Sequence, residues 1–385
     1  MKLLHPCYPF ALAAVLSVFP TLAEPVARPV IAPLLQPLVD HHALAGAVTL
    51  VADRNRILDI ETVGYADIAA NKPMTQDALF WIASMSKPMT AAAFMILVDE
   101  GKASVDDPVE KYLPEFKGQM VVANQAQPDA PLEMPVHPVT IRNILSHTGG
   151  MAFSSPMETP TLDIFPLAER VRSYAKMPLQ FQPGSKYQYA NAGINTVGRI
   201  IEVLGGMPYE DFMRKRLFDP LGMKDTTFRP DKDQIARLAK SYKATKDNSD
   251  IGETTVGQLK YPLDDPSRQP MPAGGLFSTA SDTARFCQML LNGGTFRGKR
   301  VLSEAAVKQL TSRQTPAALP QSYGLGFSIE GDTYGHGGAY STNMNVDPNC
   351  GLVAVFMVQN AGWREEGKQA LPIFSRAAME AFGSK

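Results

Sequence analysis

Residues 80–101 read FWIASMSKPMTAAAFMILVDEG: an apolar approach reaches Ser84, Lys87 follows three residues later, and residues 90–98 are apolar almost all round. A helix without a polar face is buried on every side. Pro88 lacks an N–H and is tolerated only in a first turn, so the predicted helix begins near Ser84. Gly101 supplies the C′ residue that ends it. Residues three apart share a helix face, which delivers the Lys87 side chain beside the Ser84 hydroxyl at the positive end of the helix dipole. A serine nucleophile needs this setting. An N-cap serine with a surface lysine would spell the same four letters, and Ser173-Tyr174-Ala175-Lys176 repeats the pattern within the charged run PLAERVRSYAKMPL, where a solvated helix face is expected.

Outward toward the N-terminus, residues 1–23 read as a secretory signal: Lys2 gives a positive start, residues 10–19 an apolar core, and Thr21-Leu22-Ala23 a small-x-small cleavage site before Glu24. The segment is too short for a good membrane span, and export to a periplasmic or extracellular location is expected. The 385-residue chain is 45% hydrophobic and 19% charged with a net charge of −1, an ordinary globular composition. Neither sign of charge argues for nucleic acid or an anionic membrane surface as partner. Beyond the leader only Cys287 and Cys350 are present, and two free buried thiols are expected.

The remaining segments give a coarse plan. Residues 30–38 suggest a short helix closed by His41-His42, whose adjacent rings diverge and suit a solvated helix end better than a metal site. Residues 45–52 and 57–65 alternate like a β-hairpin. Residues 119–138 look like a surface insertion, with His137 in a loop. A helix from Ile141 stops at Gly149-Gly150, and His147 beneath that turn reads as structural. Tyr189 and Asn191 sit on a loop before a helix that runs to Gly205-Gly206. On the residues alone, Tyr189 would pack and Asn191 would cap. Residues 231–270 look polar and irregular, followed by a helix capped by Ser281. Residues 322–329, 333–336, 340–346 and 352–359 alternate as an antiparallel meander, and a helix over 368–382 closes the chain. Trp363 suits either the cleft or strand-end packing. Strands at both ends with helices between them predict one sheet from the two chain ends and an inserted helical lobe.

Ser84-Met85-Ser86-Lys87, Tyr189-Ala190-Asn191 and His336-Gly337-Gly338, in that order, resemble the three motifs of serine β-lactamases and penicillin-binding proteins. The tyrosine form of the second motif resembles the class C β-lactamase group, which includes D-amino-acid peptidases and family VIII carboxylesterases. Leu145-Ser146-His147-Thr148-Gly149-Gly150, Pro220-Leu221-Gly222-Met223 and Gly274-Gly275-Leu276-Phe277-Ser278 extend the likeness over nearly all of the chain past the leader.

The resemblance implies an α+β fold, an α/β sandwich of the β-lactamase/transpeptidase-like kind, as one catalytic domain over 24–385. Its sheet part would cover about 24–80 and 318–385 and its helical lobe about 84–315. It implies that Ser84 forms an acyl-enzyme, that Lys87 and Tyr189 together act as base, and that Asn191 positions Lys87 and the substrate. The residues leave open which of the two accepts the serine proton. The amides of Ser84 and Ala339 would form the oxyanion hole, with His336, Gly337 and Gly338 on the substrate-binding strand edge, and no cofactor or metal is implied.

Most β-lactamases of this group carry Lys-Thr-Gly where this chain has His336-Gly337-Gly338. A largely neutral histidine and a hydroxyl-free glycine weaken recognition of a β-lactam carboxylate and widen the cleft. Neutral short acyl esters are therefore the expected substrates, ahead of β-lactams and D-amino-acid peptides. An open histidine there would also give the site a pH dependence near neutrality. An idle peptide-binding relative would not need the intact serine, lysine and tyrosine. An α/β-hydrolase is disfavoured because Gly-x-Ser-x-Gly is absent from the chain.

Overall fold

Gly46–Ala52 (β1) is buried at every position, because helices cover both faces of the sheet to which it belongs. The computed structural model describes residues 30–127 and 129–383; the expected leader lies outside the described residues. β1 pairs with Ile57–Asp67 (β2), which continues to Lys72–Pro73 (β3). The C-terminal part supplies Ser328–Glu330 (β4), Thr333–Gly337 (β5), Asn343–Asp347 (β6) and Leu352–Met357 (β7). The seven strands lie in the order β4-β5-β6-β7-β1-β2-β3, every neighbour antiparallel. Leu50 of β1 faces Ile60 on one side and Val355 on the other. The two chain ends thus meet at the sheet centre.

Period-two alternation splits the core into two layers. Val48, Leu50, Val355 and Met357 face the helical lobe, where Met85, Phe94 and Phe286 join them. Ala47, Val51 and Phe356 face outward onto two terminal helices, Ala32–Asp40 (α1) and Ala370–Phe382 (α5). Phe356 stacks on Phe374 of α5 with ring centroids 5.5 Å apart. Trp363 packs on this outer layer, which settles the choice between cleft and strand-end packing in favour of packing.

α1 has no side-chain cap of its own. Glu61 of β2 supplies one: its carboxylate accepts the N–H groups of Val30 at 2.5 Å, Ile31 at 3.2 Å and Ala32 at 2.6 Å. Negative charge at a helix N-terminus is stabilising. Glu61→Ala is expected to lower stability by about 1–2 kcal/mol in a denaturant titration, with the slope m unchanged. An unchanged midpoint would refute this docking role.

Within the lobe, Ser86–Asp99 (α2) is buried from Ser86 through Leu97, and Gly101 adopts φ +70 just past its end, as Pro88 and Gly101 predict. Asn191–Gly205 (α3) packs across it and Ala280–Leu291 (α4) lies under the sheet. The cap of α4 differs from expectation. Thr279 Oγ1, not Ser281, accepts the N–H of Asp282, at 3.2 Å.

Residues 231–270 also differ from expectation. They hold a helix, Lys232–Ala236, with a reciprocal Asp231/Gln234 capping box, and a hairpin, Ser241–Ala244 with Ile251–Thr254, that joins Asn360–Gly362. Cys287 is buried and Cys350 is only half-buried; both are free. No helix among the described residues is long and apolar enough to cross a membrane.

Candidate active site

A three-residue turn, Ala83–Met85, carries Ser84 at the mouth of α2, and Ala83 before it has φ +46, a left-handed conformation disfavoured for a residue with a Cβ. The turn is strapped to residues 271–276. Ser86 Oγ donates to Ala83 O at 2.7 Å and accepts from Leu276 N at 3.2 Å, while Ile82 N donates to Leu276 O at 2.9 Å. Ser84 is thereby held at the edge of a cavity of about 330 Å³.

Lys87 is fully buried beneath that cavity. Its Nζ lies 3.1 Å from Ser84 Oγ, 2.8 Å from Asn191 Oδ1 and 2.7 Å from Ala273 O. Burial holds its pKa well below the free-lysine range, a shift toward the neutral amine. A neutral amine has two hydrogens and one lone pair. In that form Asn191 Oδ1 and Ala273 O, which can only accept, would take both hydrogens and leave the lone pair facing the Ser84 hydroxyl. Ala273 is itself fixed: its N–H donates to Asn195 Oδ1 at 3.0 Å, and Asn195 Nδ2 donates to Tyr174 Oη at 3.0 Å. Asn191 is the first residue of α3, whose cap position is Ala190, so its side chain serves Lys87 in place of the helix end.

Tyr189 leans over Lys87, with Nζ 4.6 Å from its ring centroid, and lines the same cavity as Ser84. Burial raises the Tyr189 pKa, and the neighbouring Ser84 side chain only partly opposes this. Burial thus acts toward the neutral form of both groups that flank the serine.

Gly337, Gly338 and Ala339 form the opposite wall as β5 leaves the sheet. The Ala339 N–H has no acceptor among the described residues. Ser84 stands early in its turn, where an N–H lacks an intrahelical partner. Both amides border the same cavity.

His336 does not line the cavity. Its buried ring turns inward, and burial foremost, with the nearby Lys87 also acting, pushes its pKa down to about 3. The expected histidine pH dependence near neutrality is thus overturned: the ring stays neutral because the fold removes it from water. His147 lies with it beneath Tyr189, ring centroids 4.4 Å apart, in a left-handed backbone conformation at φ +59. Its structural reading holds, but at the floor of the site.

Ser173 is far from this arrangement in function. Its hydroxyl bonds Ser155 Oγ at 2.7 Å and Arg170 O at 2.5 Å, and Lys176 only ends the helix Leu167–Ala175. His41 and His42 face Glu366 and Asp250 at the surface, and His137 bonds the carbonyl of Pro138. Sequence reasoning did not reach Tyr323, Asn195 or Ala273, which touch site residues only through long-range packing.

A sheet of both chain ends, an inserted helical lobe and a serine between them define a serine hydrolase of the β-lactamase/transpeptidase-like fold. The chain belongs to the beta-lactamase family, whose model matches residues 31–377. Protein Rv1367c of Mycobacterium tuberculosis is 32% identical over 359 residues, covering 83% of this chain and 87% of that protein. Esterase EstB of Burkholderia gladioli is 35% identical over 197 residues, 48% of this chain and 47% of EstB. Among solved structures, EstCE1, described as a hydrolase with promiscuous acyltransferase activity, superposes with a TM-score of 0.76 at 23% identity, covering 90% of this chain and 97% of that one.

Proposed function

We propose that this protein is a secreted carboxylesterase that cleaves short acyl esters through an acyl-enzyme on Ser84. The observation that carries the ester reading is the cavity lining: Trp81, Phe153, Tyr189, Asn191, Gln258 and Met271, with the small residues around Ser84 and Gly338, include no charged side chain. A β-lactam or a D-peptide terminus brings a carboxylate, and burying an unpaired anion is costly. A neutral ester meets no such penalty. The partial likeness to an esterase agrees with this reading.

The chemistry follows from the proton positions. As Ser84 Oγ bonds the ester carbonyl carbon, its proton passes to the Lys87 lone pair. The amides of Ser84 and Ala339 hold the oxyanion, a contribution commonly near ~3 kcal/mol per donor. On collapse the alkoxide leaves with the Tyr189 proton, which leaves a phenolate beside the Lys87 ammonium. That phenolate takes a proton from the water that attacks the acyl group. Ser84 Oγ departs with the proton returned by Lys87, and every group is restored.

The test is a paired assay of protein from Glu24 onward on a short-chain nitrophenyl ester and a chromogenic cephalosporin, with Ser84→Ala and Ser173→Ala. Ester turnover far above lactam turnover, lost in Ser84→Ala and kept in Ser173→Ala, is expected. Comparable lactam turnover would favour the β-lactamase or D-amino-acid-peptidase alternative. Export is tested by N-terminal sequencing of secreted protein, with Glu24 expected first.

A further inference from the structure

Two backbone groups at opposite walls of the site are joined by three buried side chains. The Ala190 N–H, next to Tyr189, donates to His147 Nδ1 at 3.2 Å. His147 Nε2 lies 3.3 Å from Tyr323 Oη, and Tyr323 Oη lies 2.9 Å from His336 Nε2. His336 Nδ1 lies 2.6 Å from the carbonyl oxygen of Gly337, two residues before Ala339. The three side chains are 2%, 3% and 7% exposed.

The ends of this chain fix its polarity. A backbone N–H can only donate, so His147 Nδ1 is bare and its proton sits on Nε2, which donates to Tyr323. The hydroxyl's single proton then goes to His336 Nε2. That leaves the His336 proton on Nδ1, aimed at a carbonyl that can only accept. Counting from Gly337 backward gives the same arrangement, so with neutral rings there is one pattern and every donor and acceptor is used once. Burial lowers the pKa of both imidazoles and raises that of the phenol, which keeps all three neutral. The titratable groups facing them are Lys87, Tyr187 and Tyr189.

We infer that Tyr323 is a positioning residue: its hydroxyl clamps the loop carrying Tyr189 to the strand edge carrying Ala339. The clamp sets the spacing between the proton donor on one wall of the cleft and the oxyanion amide on the other. It explains why a histidine occupies the first position of the third motif without presenting itself to substrate. Both of its nitrogens are committed to the clamp. The inference rests on the reading of Ser84 as the acylated residue.

Tyr323→Phe removes one oxygen and opens the chain at its centre. The expected result is a kcat for the nitrophenyl ester lower by about 10- to 100-fold, with KM within about twofold, because misplacement of a reacting group acts on the transition state. Tyr334→Phe is the control. That tyrosine is also buried, 5% exposed, and its hydroxyl makes no hydrogen bond to the described residues, so kcat should not change. A folded Tyr323→Phe protein with unchanged kcat overturns the proposal.

The second measurement is ¹⁵N NMR of the wild-type histidines, which does not depend on a variant folding. His147 should carry its proton on Nε2 and His336 on Nδ1, neither titrating between pH 5 and 9. The opposite tautomer on either ring overturns the clamp. Ser84→Ala separates the two ideas. Loss of activity with both tautomers intact supports the catalytic reading and the clamp together, whereas retained activity with those tautomers sinks the Ser84 reading and leaves the clamp as geometry alone.

Discussion

Replacing Lys87 by methionine is expected to lower kcat on a short-chain ester by about 10³-fold, the scale of a lost general base, with a far smaller change in KM. Methionine keeps the length and apolar stem that α2 buries but has no lone pair for the Ser84 proton. Asn191 Oδ1 and Ala273 O lose their donor, yet both border the cavity, where water can replace it. Folding should therefore survive, and the loss should appear in the acylation burst. A variant that acylates at the wild-type rate would remove Lys87 from its role. The same geometry sets the pH profile. Lys87 must be unprotonated to accept, and burial lowers its pKa, so kcat/KM falls on the acid side with an inflection below the free-lysine range. Tyr189 must be protonated to donate, and burial raises its pKa, so the alkaline limb lies above that of a free tyrosine. His336, pushed down to about 3, should contribute neither limb.

The second large effect is expected at Gly338. A Cβ built there would stand 2.1 Å from Thr342 Oγ1 and 2.7 Å from Ile82 O, and the second of these is backbone just ahead of Ser84. Something must shift, and the movable part is the strand edge with Ala339. Gly338→Ala should cost about 10²-fold or more in kcat, as loss of one oxyanion donor does, and about 1–3 kcal/mol in stability from overpacking. Gly337 is its internal control. A Cβ there would meet nothing closer than 3.7 Å, so Gly337→Ala should stay within about threefold in kcat. Equal losses at the two glycines would refute this account of the strand edge.

What the sequence showed and hid divides along a physical line. Pro88, Gly101 and the apolar run between them act locally, and α2 lies where they place it. The three motifs are short, and the fold brings them to one cavity. The Asp231-x-x-Gln234 capping box was equally local and readable, but the polar run around it obscured the signal. Thr279 and Ser281 are both good caps two residues apart, and propensity alone does not choose between them. The strand predicted over 322–329 shrinks to Ser328–Glu330 because Tyr323 is drawn inward to His336, a contact no periodicity reveals. The neutrality of His336 is hidden for the same reason, since burial is a property of the packed whole.

The pairing of β1 with β7 joins residues about 300 positions apart, Val48 with Met357 among them. Contacts so distant along the chain cannot form until both ends have been synthesised, and they slow folding. Ser84 belongs to the first part of the chain and Ala339 to the last, so on the mechanism proposed above a nascent chain would hold the nucleophile without one of its two oxyanion amides. Under the proposed mechanism, then, hydrolytic competence would arise only once the last part of the chain is in place.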